Sequence, residues 1–158
     1  MYMKNNLPAE RRGFTLIELL VVIGILAVLL AITLIAINPA RQFSQANNTK
    51  RSSDVNAILN AIDQYAADNK GALPANMPAA DTTVAIGNGS GEANICTDLI
   101  TRYLAALPVD PLTNNGTPVT DCAANYATGY TVTRSANDNR VTIAAPQAEL
   151  GATITVTR

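Results

Sequence analysis

The sequence predicts an α+β protein in which a long N-terminal helix packs on a small antiparallel sheet. Two observations predict this class. Residues 14–37 form an apolar run, followed by a second stretch with helical spacing. The last part of the chain alternates apolar and polar residues with the period of two that is typical of strands. At 158 residues a single globular domain is the default expectation.

Composition narrows the classes of function. The chain contains no histidine, which excludes Ser-His-Asp and Cys-His catalysis as well as histidine-ligated zinc. A net charge of -1 argues against binding nucleic acid by bulk charge. An anchored enzyme that uses carboxylates alone is the remaining enzymatic alternative, and no cluster of carboxylates at useful spacing supports it. We therefore expect a structural or interaction protein and not an enzyme.

The apolar run is long enough to cross a membrane. A helix over residues 14–37 would be roughly 36 Å long, which exceeds the hydrocarbon thickness of a bilayer. Glu18 is its only charged residue, and the basic residues Lys4, Arg11 and Arg12 precede it. Positive charge on the short N-terminal side predicts that this end stays in the cytoplasm while the rest of the chain is exported.

Two ordinary interpretations explain this segment less well. A secretory signal peptide has a shorter apolar stretch and an A-x-A-like cleavage site, and neither feature is present here. A plain single-span anchor explains the length but gives no reason for Glu18, since a charge at the centre of a span costs about 2.5–3.5 kcal/mol. Glu18 lies near the end of the run, where this cost is smaller, so an interfacial glutamate remains an alternative.

The residues that lead into the apolar run resemble the signal of type IV prepilins. They read Arg11-Arg12-Gly13-Phe14-Thr15-Leu16-Ile17-Glu18. In that family a membrane-bound prepilin peptidase cuts after the glycine and methylates the new amine. The resemblance implies that Gly13 ends the leader, that Phe14 is the N-methylated mature N-terminus and that Glu18 is the assembly carboxylate.

The resemblance implies a structural subunit of a type IV pilus, with a pseudopilin of a type II secretion or DNA-uptake system as the alternative. The expected partners are identical subunits, prepilin peptidase, the assembly machinery and the inner membrane. The subunit would span the cytoplasmic membrane once before assembly and lie in an extracellular filament afterwards. The expected organisation is a leader (1–13), a membrane and filament-core helix (14–37), its amphipathic continuation (38–70) and a pilin-like head (71–158).

The position of Glu18 suggests how assembly could select one register. In apolar surroundings a carboxylate is either protonated or paired with a cation. The amine of Phe14 lies about 6 Å away along the same helix, so a neighbour displaced along the filament axis could bring its own amine beside Glu18. The alternative is an acid that complements its own helix dipole, worth about 0.3–1 kcal/mol. Our hypothesis is the intersubunit pair.

The second helical stretch carries an apolar stripe that can face a sheet. Its members recur at helical spacing, and they are Val55, Ile58, Leu59, Ile62, Tyr65 and Ala66. Pro39 is either the first residue of a separate helix or a kink in a continuous one, and the family resemblance favours the continuous helix. Gly71 after Lys70 predicts the stop.

Three basic residues, Arg41, Lys50 and Arg51, lie near the start of this stretch. They could contact anionic lipid or neighbouring subunits. A solvated helix face is the interpretation that we favour.

The head is expected to begin with a loop over residues 73–93. A short amphipathic helix follows over 92–107, because apolar residues recur there at every fourth position. Three strands are then predicted over residues 126–134, 140–145 and 152–158, and one face of their sheet can pack on the helix stripe.

Two further predictions concern covalent and metal chemistry in the head. Cys96 and Cys122 allow one intramolecular disulfide, which suits an exported domain. Asp110 and Asp121 lie in a turn-rich stretch that resembles the calcium site of major pseudopilins, so they are weak candidates for calcium ligands. No other cofactor is expected.

Overall fold

The computed structural model describes residues 13–158 of the chain. These residues form two compact units, one that ends at Pro39 and one that spans Ala40–Arg158. The elements are α1 (Leu16–Ile37), α2 (Pro39–Asp68), β1 (Thr83–Gly87), α3 (Cys96–Leu99), β2 (Ala127–Arg134), β3 (Val141–Ala144) and β4 (Thr155–Thr157), with a 3₁₀ turn at Asn114–Gly116. The predicted α+β class is confirmed.

The N-terminal unit consists of α1 and the residues just before it. None of the residues of α1 is buried. By length and composition the helix could cross a membrane. Because its apolar side chains have no partner within this unit, they need an apolar environment from elsewhere.

The family resemblance suggested one continuous helix. The structure instead has two helices, α1 and α2, with a break between them. Asn38 has a left-handed backbone, with φ 47° and ψ 78°, and it ends α1. Pro39 is then the first residue of α2. A proline suits this position because its fixed φ is helical and the first amide of a helix has no acceptor in its own helix.

In the second unit, α2 buries the predicted stripe. Val55, Ile58, Leu59 and Ile62 have no exposed surface. The helix ends where glycine predicted a stop, since the N–H of Gly71 donates to the carbonyl of Ala66 at 2.7 Å. Gly71 has a φ of +86°, a conformation that glycine adopts without a steric penalty.

The sheet has four antiparallel strands in the order β1-β2-β3-β4. The three predicted strands are present, although shorter than predicted. Strand β1 lies within residues 73–93, which we expected to be a loop, so that prediction is wrong for Thr83–Gly87. Its apolar residues Val84 and Ile86 alternate with small ones, and pairing with β2 forms the strand.

One core joins α2, the sheet and the connecting segments. Most of its large side chains have no exposed surface. They come from α2 (Val55, Ile58, Leu59, Ile62), from the strands (Ile86, Tyr130, Val132, Ile143) and from the connections (Ile95, Leu99, Leu107, Val109).

The helix predicted over residues 92–107 is much shorter in the structure. Only Cys96–Leu99 is α-helical. Ile100 is extended and Thr101 has a φ of +73°, and these conformations end the helix. The apolar residues of the predicted pattern are nevertheless buried, namely Ile95, Leu99 and Leu107. Turns therefore bury the side chains that a longer helix was expected to bury.

A disulfide joins Cys96 to Cys122, whose Cα atoms are 5.5 Å apart. It ties α3 to the segment that precedes β2. The two cysteines are separated by 26 residues in the sequence. A cross-link over a loop of this length stabilises a fold by about 3–4 kcal/mol in the chain-entropy model.

Candidate functional site

The segment that precedes α1 is held by a reciprocal capping box. Thr15 Oγ1 accepts a hydrogen bond from the N–H of Glu18 at 3.2 Å. In return, Glu18 Oε2 accepts the N–H of Thr15 at 2.9 Å and its hydroxyl at 2.7 Å. These bonds satisfy two amides at the start of the helix and fix the Glu18 carboxylate there. The role of Thr15 was missed, although the Thr-x-x-Glu spacing is the sequence signature of this cap.

The residues predicted for processing and assembly lie together in this segment. Gly13 and Phe14 immediately precede the cap and are exposed, Phe14 to 84%. Glu18 is in the first turn of α1. The leader residues Lys4, Arg11 and Arg12 lie outside the described part of the chain. The peptide bond after Gly13 is thus followed at once by the capped helix.

In the second unit, a buried arginine joins α2 to a distant turn. The side chains of Arg51 and Asp110 both have 0% exposure. Arg51 Nε donates to Asp110 Oδ2 at 2.6 Å, and its Nη2 donates to Oδ1 at 3.2 Å. This two-point geometry matches a guanidinium to a carboxylate, and both charges are compensated inside the protein.

The same arginine reaches a second carboxylate near the C-terminus. Arg51 Nη1 donates to Glu149 Oε2 at 2.7 Å. Ser44 and Asn47, two turns and one turn earlier on α2, donate to Glu149 at 2.8 and 3.0 Å. The side-chain amide of Asn48 binds the backbone of Glu149 at both its atoms. Its Nδ2 donates to the carbonyl of Glu149, and its Oδ1 accepts the N–H of Glu149. We call Arg51, Asp110, Glu149 and the α2 side chains that bind them the arginine network.

A second polar set adjoins the arginine network. Lys50 Nζ donates to Asp54 Oδ2 at 2.7 Å and to the carbonyl of Val109 at 2.9 Å. The hydroxyl of Tyr130, on β2, also donates to Asp54 Oδ2 at 2.7 Å. Burial, and then the bond to Asp54, raises the pKa of Tyr130 above its ordinary value. This phenol is therefore a neutral donor at physiological pH.

One expectation about charged residues is corrected by this geometry. Arg51 is not on a solvated face but fully buried. Lys50 is exposed as expected, and it also binds Asp54 and the Val109 carbonyl. Arg51 lies four residues before Val55, a member of the apolar stripe. This spacing places Arg51 on the same face of α2 and was a signal that its side chain points inward. Burying an arginine is tolerated here because two carboxylates face it.

Asp110, one of the two proposed calcium ligands, is paired with Arg51 in this structure. Both oxygens of Asp110 accept hydrogen bonds from Arg51, and Oδ1 also accepts the N–H of Leu112 at 2.9 Å. Asp121 is exposed, and its Oδ1 accepts the N–H of Ala123. Within residues 13–158 no group of three or more His, Cys, Asp or Glu side chains is placed to hold a metal. Asp110 serves to neutralise Arg51.

The charges of the arginine network stabilise each other. The hydrogen bond to Asp110 is the main cause that raises the pKa of Arg51 above its ordinary value. The hydrogen bonds from Arg51, and then from Asn47 and Ser44, lower the pKa of Glu149 from 4.5 to about 2. The arrangement holds segments of the chain together, which is a structural role.

Two comparisons with known proteins find similarities. The family model described as "Prokaryotic N-terminal methylation motif" matches residues 9–34. A relative, the type II secretion system core protein G of Pseudomonas aeruginosa, is 36% identical over 106 residues, which are 66% of this chain and 70% of that protein. No solved structure matches the chain. The family match covers the capped segment and most of α1.

The first prediction concerns Gly129, which lies in β2 beside the turn of Asp110. Its φ is +80°, and a Cβ there would lie 2.6 Å from Thr113 Oγ1 and 2.8 Å from Asp110 Cβ. We expect Gly129→Ala to destabilise the fold by about 2–5 kcal/mol, from backbone strain and overpacking together. Urea unfolding of the full chain in detergent measures this loss.

Gly151→Ala is the matched control. Gly151 has a similar φ of +68°, but no atom lies within 4 Å of an added Cβ. This variant should therefore lose only the strain contribution, about 1 kcal/mol. Equal losses for the two variants would contradict the contact that we assign to Gly129.

The second prediction concerns pH. A carboxylate with a pKa of about 2 in the folded state and 4.5 ordinarily contributes stability that is complete above pH 4.5. This contribution is lost as the pH falls from 4.5 through about 2. We expect Glu149→Gln to flatten the fall of the melting temperature over this range, and Asn47→Ala to flatten it in part. An unchanged slope in Glu149→Gln would refute the assignment.

Proposed function

The chain belongs to the type IV pilin-like family, and from this premise we propose that it is the structural subunit of a helical filament assembled through α1. Members of this family are structural subunits and not enzymes. The observation that carries the proposal is the surface of α1. Apart from Glu18 and Thr33 it is apolar, and none of it is buried in the described chain. A membrane, and later the helices of other copies, would cover it.

Processing is proposed to take place at the exposed segment before the cap. Prepilin peptidase would cut between Gly13 and Phe14 on the cytoplasmic side and methylate the new amine of Phe14. The exposure of both residues supports access to this bond. Lys4, Arg11 and Arg12 would leave with the leader. Because the cut precedes α1, the mature subunit keeps its membrane helix.

Assembly is proposed to use the free face of the Glu18 carboxylate. Both hydrogen bonds from Thr15 go to Oε2 of Glu18. Within residues 13–158, Oε1 of Glu18 accepts no hydrogen bond, so it can take the Phe14 amine of a neighbouring copy. A charge pair between neighbours would reward one axial displacement over others. The cap thus orients the group that selects the register.

Two kinds of filament are candidates. The relative is named as a core protein of a type II secretion system, which favours a pseudopilin in a short filament below the cell surface. The second candidate is the type IV pilus. The N-terminal methylation motif over residues 9–34 supports it, although this motif is common to both kinds of filament.

The third prediction tests processing and the kind of filament together. Sequencing the N-terminus of the assembled subunit should give an N-methylated residue at Phe14. Electron microscopy of intact cells distinguishes the two kinds of filament. Long surface filaments that contain this subunit would indicate a type IV pilus. Their absence, together with short filaments below the cell surface, would indicate a pseudopilin. A mature chain that begins at any other residue would overturn the proposed function.

The fourth prediction separates the two roles of Glu18. Glu18→Gln keeps the capping box, because glutamine also serves at this position, but it removes the charge. Thr15→Ala keeps the charge and removes the hydroxyl of the cap. We expect Glu18→Gln to be cleaved and inserted normally but to form no filaments, whereas Thr15→Ala still assembles. Filament yield and immunoblots of the cleaved form measure both properties.

The opposite result would assign Glu18 to the cap alone. Normal filaments from Glu18→Gln together with few from Thr15→Ala would contradict the intersubunit pair. Normal cleavage in both variants is the control, since it shows that each chain reaches the membrane.

A further inference from the structure

The second unit exposes a few large hydrophobic side chains. Within Ala40–Arg158 they are Phe43, Leu112 and Leu150, which are 72%, 62% and 55% exposed. Scattered exposed hydrophobic residues are ordinary, but several at one end of a domain indicate a contact surface. We call these three residues the apolar rim.

Hydrogen bonds place two members of the rim at the start of α2. Phe43 precedes Ser44, whose hydroxyl donates to Glu149 Oε1 at 2.8 Å. Leu150 follows Glu149 directly. Because Asn48 binds the backbone N–H and carbonyl of Glu149 at 2.9 and 2.8 Å, the turn that carries Leu150 is attached to the first turns of α2.

The third member, Leu112, is brought to the same end by the turn of Asp110. Its N–H donates to Asp110 Oδ1, and Asp110 is paired with Arg51 on α2. Gln147 Nε2 donates to Thr113 Oγ1 at 3.3 Å, which links this turn to the turn of Leu150. The arginine network therefore gathers the three segments that carry the rim.

Leu150 is held in an unusual conformation. Its φ is +57°, a left-handed backbone that is uncommon for a residue with a bulky side chain. The backbone at Leu150 is therefore strained, yet the side chain is about half exposed. This combination indicates a function for the Leu150 side chain at the surface.

We propose that the apolar rim rests on the lipid interface of the membrane while the subunit is anchored by α1. This inference depends on the anchoring role of α1 in the proposed function. Chain connectivity supports it, since Ile37 and Pro39 can be at most about 7 Å apart, and the helical rise from Pro39 to Phe43 is about 6 Å. Phe43 therefore stays within about 13 Å of the last residue of the anchor, whatever the direction of α2.

The rim itself is uncharged, although the exposed Arg41 lies two residues before Phe43. Of the other cations on α2, Arg51 is buried and paired, and Lys50 is partly exposed but bonded to Asp54 and to the Val109 carbonyl. Phenylalanine and leucine side chains of an anchored protein suit the boundary between headgroups and acyl chains. The contact should therefore form on uncharged lipid.

The small size of the rim favours lipid over a second copy. A stable protein interface buries about 800 Å² on each partner, which is more than three side chains supply. A lipid contact needs no such area, because the anchor already holds the head at the membrane.

The test uses the full chain in phosphatidylcholine nanodiscs that hold one chain each and contain a nitroxide-labelled lipid with the label near the headgroup. Paramagnetic broadening should affect the methyl signals of Leu112 and Leu150 and the ring signals of Phe43. The methyl signal of Met77, in the loop that follows the C-terminal end of α2, should stay sharp. Discs without nitroxide are the reference.

Variants make the test specific. In Phe43→Ser/Leu150→Ser most of the broadening of Leu112 should be lost. In Gln45→Ser, an exposed change on the same turn of α2, it should persist. All these positions are exposed, so the variants should keep the fold, and unchanged amide spectra will verify it.

Four results would overturn the inference. A chain that remains in the disc without broadening of the rim would refute the lipid contact alone. Equal broadening of Met77 would show that the contact is not at the rim. A contact that forms only with two or more chains in a disc would assign the rim to a second copy. A chain that fails to enter discs at all would refute the anchoring role of α1 as well.

Discussion

The head depends on one buried interaction, the pairing of Arg51 with Asp110 and Glu149. A guanidinium without exposed surface requires opposite charge beside it, and removing Arg51 or Asp110 would leave a charge in the interior without its buried partner. The two carboxylates are 59 and 98 residues away along the chain. One side chain of α2 therefore fixes where two distant turns lie. The same interaction fixes the positions of the segments that carry the apolar rim.

The two units differ in where their apolar side chains lie. The second unit has its own core, with a four-stranded sheet and the Cys96–Cys122 disulfide. The residues of α1 are all exposed and mostly apolar. A membrane satisfies α1 before assembly, and a bundle of identical helices would satisfy it afterwards. In the filament that we propose, Glu18 would be the charged residue of α1 whose partner selects the register.

Hydrophobic patterns that extend over several helical turns predicted their helices well. The run of α1 and the stripe of α2 each extend over several turns, so periodicity alone located them. Short elements were less predictable. Strand β1 is held at the edge of the sheet by pairing with β2, and the segment of residues 92–107 buries Ile95, Leu99 and Leu107 through turns. In such segments long-range packing outweighs the weak local preference for helix or strand.

By itself the sequence determined the membrane-length helix, the match of residues 9–34 to the N-terminal methylation motif, the α+β class and the only possible intramolecular disulfide. All of these depend on residues that are close in the chain or on residue types that are rare in it. Only the tertiary structure decided that Arg51 is buried, that Asp110 neutralises it, and that Glu149 is its second partner. The reason is physical, because a charge is stabilised by whatever group folding brings within about 3 Å, and spacing along the chain does not encode that distance.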